Sequence, residues 1–488
     1  MDYSQFLIMG QEIGLLIVFL LVFLLDVFST NKGGRSIISG TTIILFGLFT
    51  IYSFCPCEGV AFEGMYVTSP VISAIKAILN IGVLIVLIQS MQWANSESQV
   101  VRRGEFYELL LVTLFGMYIM ISARHFLLFV IGLETASLPL AAMVAFDKKR
   151  YESHEAAIKY MLTAVFSSAV FMMGLSFVYA LAGSLYFTDI AAVATESTLL
   201  VIALAFVIAG IGFKLSLVPF HLWTADVYQG APTIVTSYLS VISKGAAAFA
   251  FMVILVQVFG AFYSDVWEWM LYALIILTIT VGNLFAIRQR NMKRFLAFSS
   301  VSQAGYIMLG VIACNAIGLG SMMYYILVYI FSNLAAFGVI SAIENKTGRV
   351  SMDDYNGLYK TNPRLSFTMM LAMFSLAGIP PFAGFFSKFF IFGSTIDAAT
   401  GTAHPAALYV LVLIALINTI VSLYYYLLVV KAMFISGDEC VIPAFRSAWS
   451  ERAGMWICVA GIIGLGLVSC IYGYLTETAA AGTFFASL

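Results

Sequence analysis

The sequence predicts an all-α polytopic membrane protein of about fourteen transmembrane helices. Within it lie two inverted five-helix repeats (helices 4–8 and 9–13), each containing a broken helix. Three observations carry this reading. The first is composition: 62% of the 488 residues are hydrophobic, 10% are charged, and mean hydropathy is +0.99. A soluble domain has roughly 45–50% apolar and about 25% charged residues. The second is a succession of apolar runs near the length of about 20 residues that crosses a bilayer. The third is the alternation of basic and non-basic loops between them.

The runs fall near 7–29, 37–54, 71–93, 105–122, 124–146, 156–183, 199–222, 232–258, 267–287, 293–314, 318–344, 365–396, 406–435 and 454–475. Numbering the loops in order, the odd ones hold 17 of the 24 Lys and Arg residues. The even loops and the termini hold one, Arg124, and the remaining six lie inside the runs. Basic loops stay in the cytoplasm, so both termini are expected outside, on the periplasmic side. The first run follows an acidic N-terminus, which argues against a cleavable signal. Lys159–Ala169 in the sixth run resembles Tyr324–Leu334 in the eleventh, 165 residues later. The most interrupted runs, the seventh (Gly212–Pro219) and the twelfth (Gly378–Gly384), start 166 residues apart. Two five-helix units follow, and an odd helix number inverts the second. The expected division is 1–104 for three N-terminal helices, 105–258 and 259–435 for the repeats, and 436–488 for a loop and last helix. Corresponding interrupted helices in inverted halves point to an ion site.

Other classes are disfavoured. A net charge of −1 gives no attraction to nucleic acid. The six cysteines are scattered without CxxC or histidine spacing for metal or iron–sulfur ligation. Cys55 and Cys57, separated by Pro56, read as free thiols because a bridge there is strained. No loop exceeds about 25 residues and no nucleotide-binding glycine motif occurs. Redox chemistry must therefore sit on other chains.

Ionisable groups in the hydrocarbon layer are costly and mark function. Lys214 lies five residues before Pro219, which removes a helical hydrogen bond and opens polar backbone beside the ammonium. Glu134 sits mid-helix in the fifth run, with Lys214 as its expected ion-pair partner. Lys244 is close to the middle of the eighth run, beyond snorkelling reach. Lys388 follows the Pro380–Pro381 break and is the second unit's counterpart of Lys214. For each, a structural ion pair or snorkelling cation is the competing reading. Lys159 is either functional or an i,i+4 partner of Glu155. His221, in the loop joining the Lys214 and Lys244 helices, is either a proton shuttle or a satisfied structural histidine. Asp226 in that loop reads as a turn cap. Lys76 and Lys431 read as snorkelling cations near helix ends, and Asp26 as serving a helix end.

The segments Gly212–Thr233, Glu155–Tyr160, Asn291–Tyr306 and Leu376–Lys388 together resemble the antiporter-like subunit N family of respiratory complex I, the NADH:quinone oxidoreductase, over nearly the whole chain. The resemblance implies a non-redox, proton-translocating subunit. Glu134 and Lys214 would form its carboxylate–lysine pair, Lys244 the connecting lysine, and Lys388 the outward exit. Lys388, where a related subunit has glutamate, favours N. Ala225 and Gln229 depart from the family's usual proline and glutamate. NADH, FMN, iron–sulfur clusters and quinone would be bound by other subunits, with no cofactor or metal on this chain. Partners would be neighbouring membrane-arm subunits in a bacterial inner membrane. A multisubunit Na⁺/H⁺ antiporter or membrane-bound hydrogenase subunit shares this fold and is the alternative.

Overall fold

The computed structural model describes residues 4–29, 32–96, 99, 102–193, 197–260, 265–402, 404–436, 440–468 and 470–481. The side chains of 32–36, and with them the expected loop cations Lys32 and Arg35, lie outside the described set, as do those of 265 and 266. Helix dominates because only helices and closed barrels satisfy every backbone group internally in lipid. The first three long helices are α1 (Gly10–Phe28), α2 (Lys32–Tyr52) and α3 (Pro70–Ala94). A short antiparallel hairpin, Gly59–Ala61 with Tyr66–Thr68, lies between α2 and α3. Then come α4 (Arg103–Ser122), α5 (Phe126–Val144), α6 (Tyr151–Ala182), α7 (Thr198–Leu215), α8 (Leu222–Gly230) and α9 (Thr233–Gln257). The second set is α10 (Asp265–Ile287), α11 (Met292–Ile312), α12 (Ala316–Thr347), α13 (Pro363–Ala377), α14 (Ala383–Ala398) and α15 (Pro405–Phe434). The chain continues through α16 (Trp449–Leu467) and α17 (Cys470–Ala481).

Among the described residues, twelve helices are long and apolar enough to cross a membrane. The seventh run ends at Leu215, short of the expected 222, because Ser216 takes a left-handed conformation (φ 60) and the chain turns. The twelfth splits at Gly378 (φ 88), leaving α13 and α14 as half-helices. The last run also divides: Val468 is extended, and α17 starts afresh at Cys470. α6 and α12 are each 32 residues long, start 165 residues apart, and close on left-handed glycines, Gly183 and Gly348.

Small residues bring α4 and α5 into close contact. A Cβ on Gly116 of α4 or Gly132 of α5 would collide with the other helix's backbone, the close approach that drives association without a hydrophobic force between helices. α9, α11 and α12 form the centre, and α11 is buried along its apolar span beyond Arg294. Large apolar side chains such as Leu24 on α1, Phe166 on α6 and Ile420 on α15 are exposed on the outside, as a lipid-facing surface requires.

Candidate functional site

The three central lysines are all buried: Lys214 is 7% exposed, Lys244 2% and Lys388 5%. Each is placed by a local defect in its helix. Lys214 occupies the last turn of α7, just before Ser216. Lys244 follows a π-helical stretch, Leu239–Ser243, inside α9. Such bulges are frequent at functional sites. Lys388 lies on α14 and reaches back across the break. Its Nζ donates to the carbonyls of Leu376 and Ala377, each at 2.9 Å. Those carbonyls are orphaned by the end of α13, so the broken helix itself solvates the ammonium. A Cβ on Gly378 would lie 3.1 Å from the Lys388 stem. Glycine there both permits the positive φ and leaves the lysine room. Lys214 thus precedes its break and Lys388 follows its own, so the two are not equivalent by register.

The polar neighbours are mostly neutral. The Lys214 ammonium donates to Ser137 Oγ on α5 and faces the Tyr160 ring at 5.9 Å. This corrects the expected Glu134–Lys214 ion pair. Glu134 stands one turn before Ser137 on α5, outside ion-pair contact, and its Oε1 has no hydrogen-bond partner among the described residues. The serine takes the direct bond to the ammonium. Lys244 Nζ donates to Ser300 Oγ on α11 at 2.5 Å and lies 5.6 Å from the Tyr228 ring. Lys388 faces the Tyr306 ring at 5.3 Å.

α11 connects the last two lysines. Gln303, one turn after Ser300, donates to Tyr426 Oη at 3.2 Å and accepts from Tyr325 Oη. Gln303 and Tyr325 then line a cavity of about 10 Å³ with Ser332, Ser375 and Lys388, about the space of one water. Ser332 and Ser375 are hydrogen-bonded at 2.7 Å. Sequence reasoning passed over Ser300 and Gln303. Their signal was present, however: Ser299-Ser300-Val301-Ser302-Gln303 is a polar run inside an apolar helix.

Two ion clusters occupy the face that carries most of the Lys and Arg residues. In the first, Asp226 is the hub: it accepts from Lys159 and from Arg294, each at 2.7 Å. This corrects its reading as a turn cap. Burial pushes the Asp226 carboxyl up, but Lys159 and Arg294 outweigh that and hold it below the usual carboxylate range. Lys159 also pairs with Glu155 at 2.8 Å, the anticipated i,i+4 contact, and is 43% exposed. Gln229 accepts from Arg294 at 3.0 Å. In the second cluster, Glu344 binds Arg150 at 2.9 Å and Lys293 at 3.2 Å, and accepts from Thr233. Lys293, counted above as a loop cation, is buried, because its ammonium also caps the Ala231 carbonyl at 3.1 Å. His221 is buried against Phe285, ring centroids 6.2 Å apart, within electrostatic range of Lys244. Neither ring nitrogen bonds a described side chain.

Lys76 overturns its reading as a snorkelling cation. It is fully buried and forms a 2.6 Å ion pair with Glu12 of α1, to which Tyr66 Oη donates at 2.8 Å. The chain folds a carboxylate over the lysine, so the ammonium has no need to reach the surface. Lys431 is exposed in the last turn of α15, as a snorkelling cation requires. Asp26 packs against Gly104 in the first turn of α4, where a carboxylate complements the helix dipole. All six cysteines are free thiols. No group of three metal-ligating side chains occurs among the described residues.

Comparison with known proteins places this geometry. Residues 123–422 match the family described as NADH:quinone oxidoreductase/Mrp antiporter, transmembrane. NADH-quinone oxidoreductase subunit N from Phocaeicola vulgatus is 53% identical over 98% of this chain and 100% of its own. Subunit N from Moorella thermoacetica is 38% identical over 83% of both. A chain of respiratory complex I from Thermus thermophilus superposes with a TM-score of 0.78 at 31% identity, covering 97% of this chain and 100% of its own. A chain of the Mrp complex from Dietzia has the same fold, with a TM-score of 0.83 at 20% identity over 98% of each chain. The chain belongs to the antiporter-like membrane subunits of the NADH:quinone oxidoreductase/Mrp family, with its full-length relatives in subunit N.

Proposed function

We propose that this chain is the non-redox, proton-translocating subunit N of the membrane arm of a proton-pumping NADH:quinone oxidoreductase. The carrying observation is the line of buried amino groups, Lys214, Lys244 and Lys388, each set at a helix defect and solvated mainly by neutral oxygen atoms. A fully paired cation holds its proton. One solvated by a serine or two carbonyls changes charge state when a neighbouring charge or water moves.

In this reading the basic face is cytoplasmic and both termini are periplasmic, in a bacterial inner membrane. Fourteen crossings form three N-terminal helices, two inverted units over 105–258 and 259–435, and a closing helix. The Asp226 and Glu344 clusters, with Lys159 and His221, receive protons from the cytoplasm. Lys214 loads under the field of Glu134. Lys244 relays the charge along the Ser300–Gln303 face of α11, and Lys388 releases protons outward. NADH, FMN, iron–sulfur clusters and quinone reside on other subunits, and neighbouring membrane-arm subunits deliver the conformational or electrostatic signal. The full-length match to subunit N relatives favours this over cation antiport, for which the Mrp likeness supports the fold alone.

The test uses inverted membrane vesicles with the intact complex. Lys214→Ala, Lys244→Ala and Lys388→Ala should each lower NADH-driven proton uptake and coupled quinone reduction about tenfold or more. Assembled complex, measured by native gel, should be unchanged. Normal pumping with Lys214→Ala would remove it from the path, and a sodium gradient in place of a proton gradient would select the antiporter reading.

A further inference from the structure

The basic face carries a second feature that the proton path does not use. Between the start of α13, the 443–448 segment and the outer side of α16 lies a cavity of about 760 Å³. Its mouth is lined by Arg364, Arg446 and Arg452, and its depth by apolar side chains including Phe367, Trp456 and Ile463. One wall is pinned: Asn362 donates to the Pro443 carbonyl at 3.0 Å and accepts from the Phe445 amide at 3.1 Å. The groove is therefore built into the fold.

Charge decides its occupant. Elsewhere on this face Arg150, Arg290, Lys293, Arg294 and Arg349 all pair with carboxylates. None of the three groove arginines has an ion-pair partner among the described residues, and Arg452 Nε is buried without a hydrogen bond. The one carboxylate in the first turn of α16, Glu451, turns inward to Asn345 (3.2 Å) and the Ala448 amide (3.1 Å). It does not neutralise the mouth. The N-termini of α13 and α16 both open here, adding partial positive charge. Guanidinium groups match phosphate oxygens in a bidentate fork. Below them, Trp456 is 67% and Phe367 51% exposed, an apolar, outward-facing surface at hydrocarbon depth. Cations above an apolar slot between helices are the features that hold an anionic lipid headgroup over its acyl chain.

We propose that this groove is a binding site for one anionic phospholipid, its phosphate held by Arg364, Arg446 and Arg452 and one acyl chain lying along Phe367, Trp456 and Ile463. The site is separate from the lysine line and goes beyond the proton-pumping assignment.

The test uses the purified intact complex. After detergent washing, co-purified phospholipid is counted by mass spectrometry for the wild type, the Arg364→Gln/Arg446→Gln/Arg452→Gln variant, and an Arg288→Gln control. The wild type and control should retain about one more anionic phospholipid per complex than the triple variant. Equal retention overturns the proposal. Should the triple variant not assemble, the Trp456 contribution to emission (wild type minus Trp456→Phe) is followed with brominated acyl chains. Brominated phosphatidylglycerol should quench it at a several-fold lower mole fraction than brominated phosphatidylcholine, unaffected by inorganic phosphate. Equal quenching by both lipids, loss of the preference on adding phosphate, or quenching by neither would overturn it. The last outcome would mark the groove as covered by another subunit.

Discussion

Glu12 and Lys76 are 2.6 Å apart, with side chains 2% and 0% exposed, and removing either one leaves a buried charge. Breaking a buried pair from one side costs about 3–5 kcal/mol, whereas replacing both partners by apolar residues of similar volume is often neutral. An exposed pair such as Arg290–Asp353, with side chains 75% and 64% exposed, is worth about 0–1 kcal/mol. The two single losses should also differ. Lys76→Met leaves Glu12 with the Tyr66 hydroxyl at 2.8 Å, while Glu12→Leu leaves Lys76 that hydroxyl at 3.4 Å and the faces of the Tyr66 and Tyr118 rings. A hydrogen bond to a charged group contributes about 1.5–3 kcal/mol, so Glu12→Leu should be the worse. The double variant strands only the Tyr66 hydroxyl, at about 1–3 kcal/mol. It should therefore be more stable than Glu12→Leu alone, a coupling of several kcal/mol. Unfolding of the purified subunit in mixed micelles, titrated with SDS, reads all four states. Additive single effects, or single variants within 1 kcal/mol of wild type, would refute the buried-pair argument.

Two other outcomes follow from the same geometry. Ser300→Ala removes the only side-chain hydrogen bond on Lys244 Nζ among the described residues, so proton uptake should fall several-fold while Ser300→Thr retains most of it; equal rates in both would detach α11 from the path. Lys431→Ala should change pumping less than twofold, because its ammonium sits on an exposed turn, and a severe loss in vesicle assays would place it on the route.

The fold was legible because membrane solvent imposes long-period rules. Apolar runs mark helices, loop cations mark one face, and two of the prolines mark breaks, whereas Pro139 lies inside the continuous α5. Pro219 and Pro380 point to the interrupted helices from sequence alone, and Lys214, Lys244 and Lys388 stand out because charge in apolar sequence is rare. The extent of each break was less legible: it depends on where a left-handed residue falls, and Ser216 gave no glycine signal.

Partners were the part the sequence concealed, and the errors share a cause. Lys76 was judged by its distance from a helix end, yet its environment is set by a carboxylate 64 residues away. Glu134 and Lys214 were matched as opposite charges, yet a serine one turn along takes the direct bond. Position along a helix fixes depth in the membrane but not azimuth, and azimuth decides which neighbour meets the side chain. The two errors run in opposite directions. Lys76 meets a full counter-ion at 2.6 Å, whereas Lys214 meets a hydroxyl first. Burial alone therefore does not separate these lysines from one another. The distinguishing property is burial with a neutral first partner, which Lys214, Lys244 and Lys388 share and Lys76 lacks.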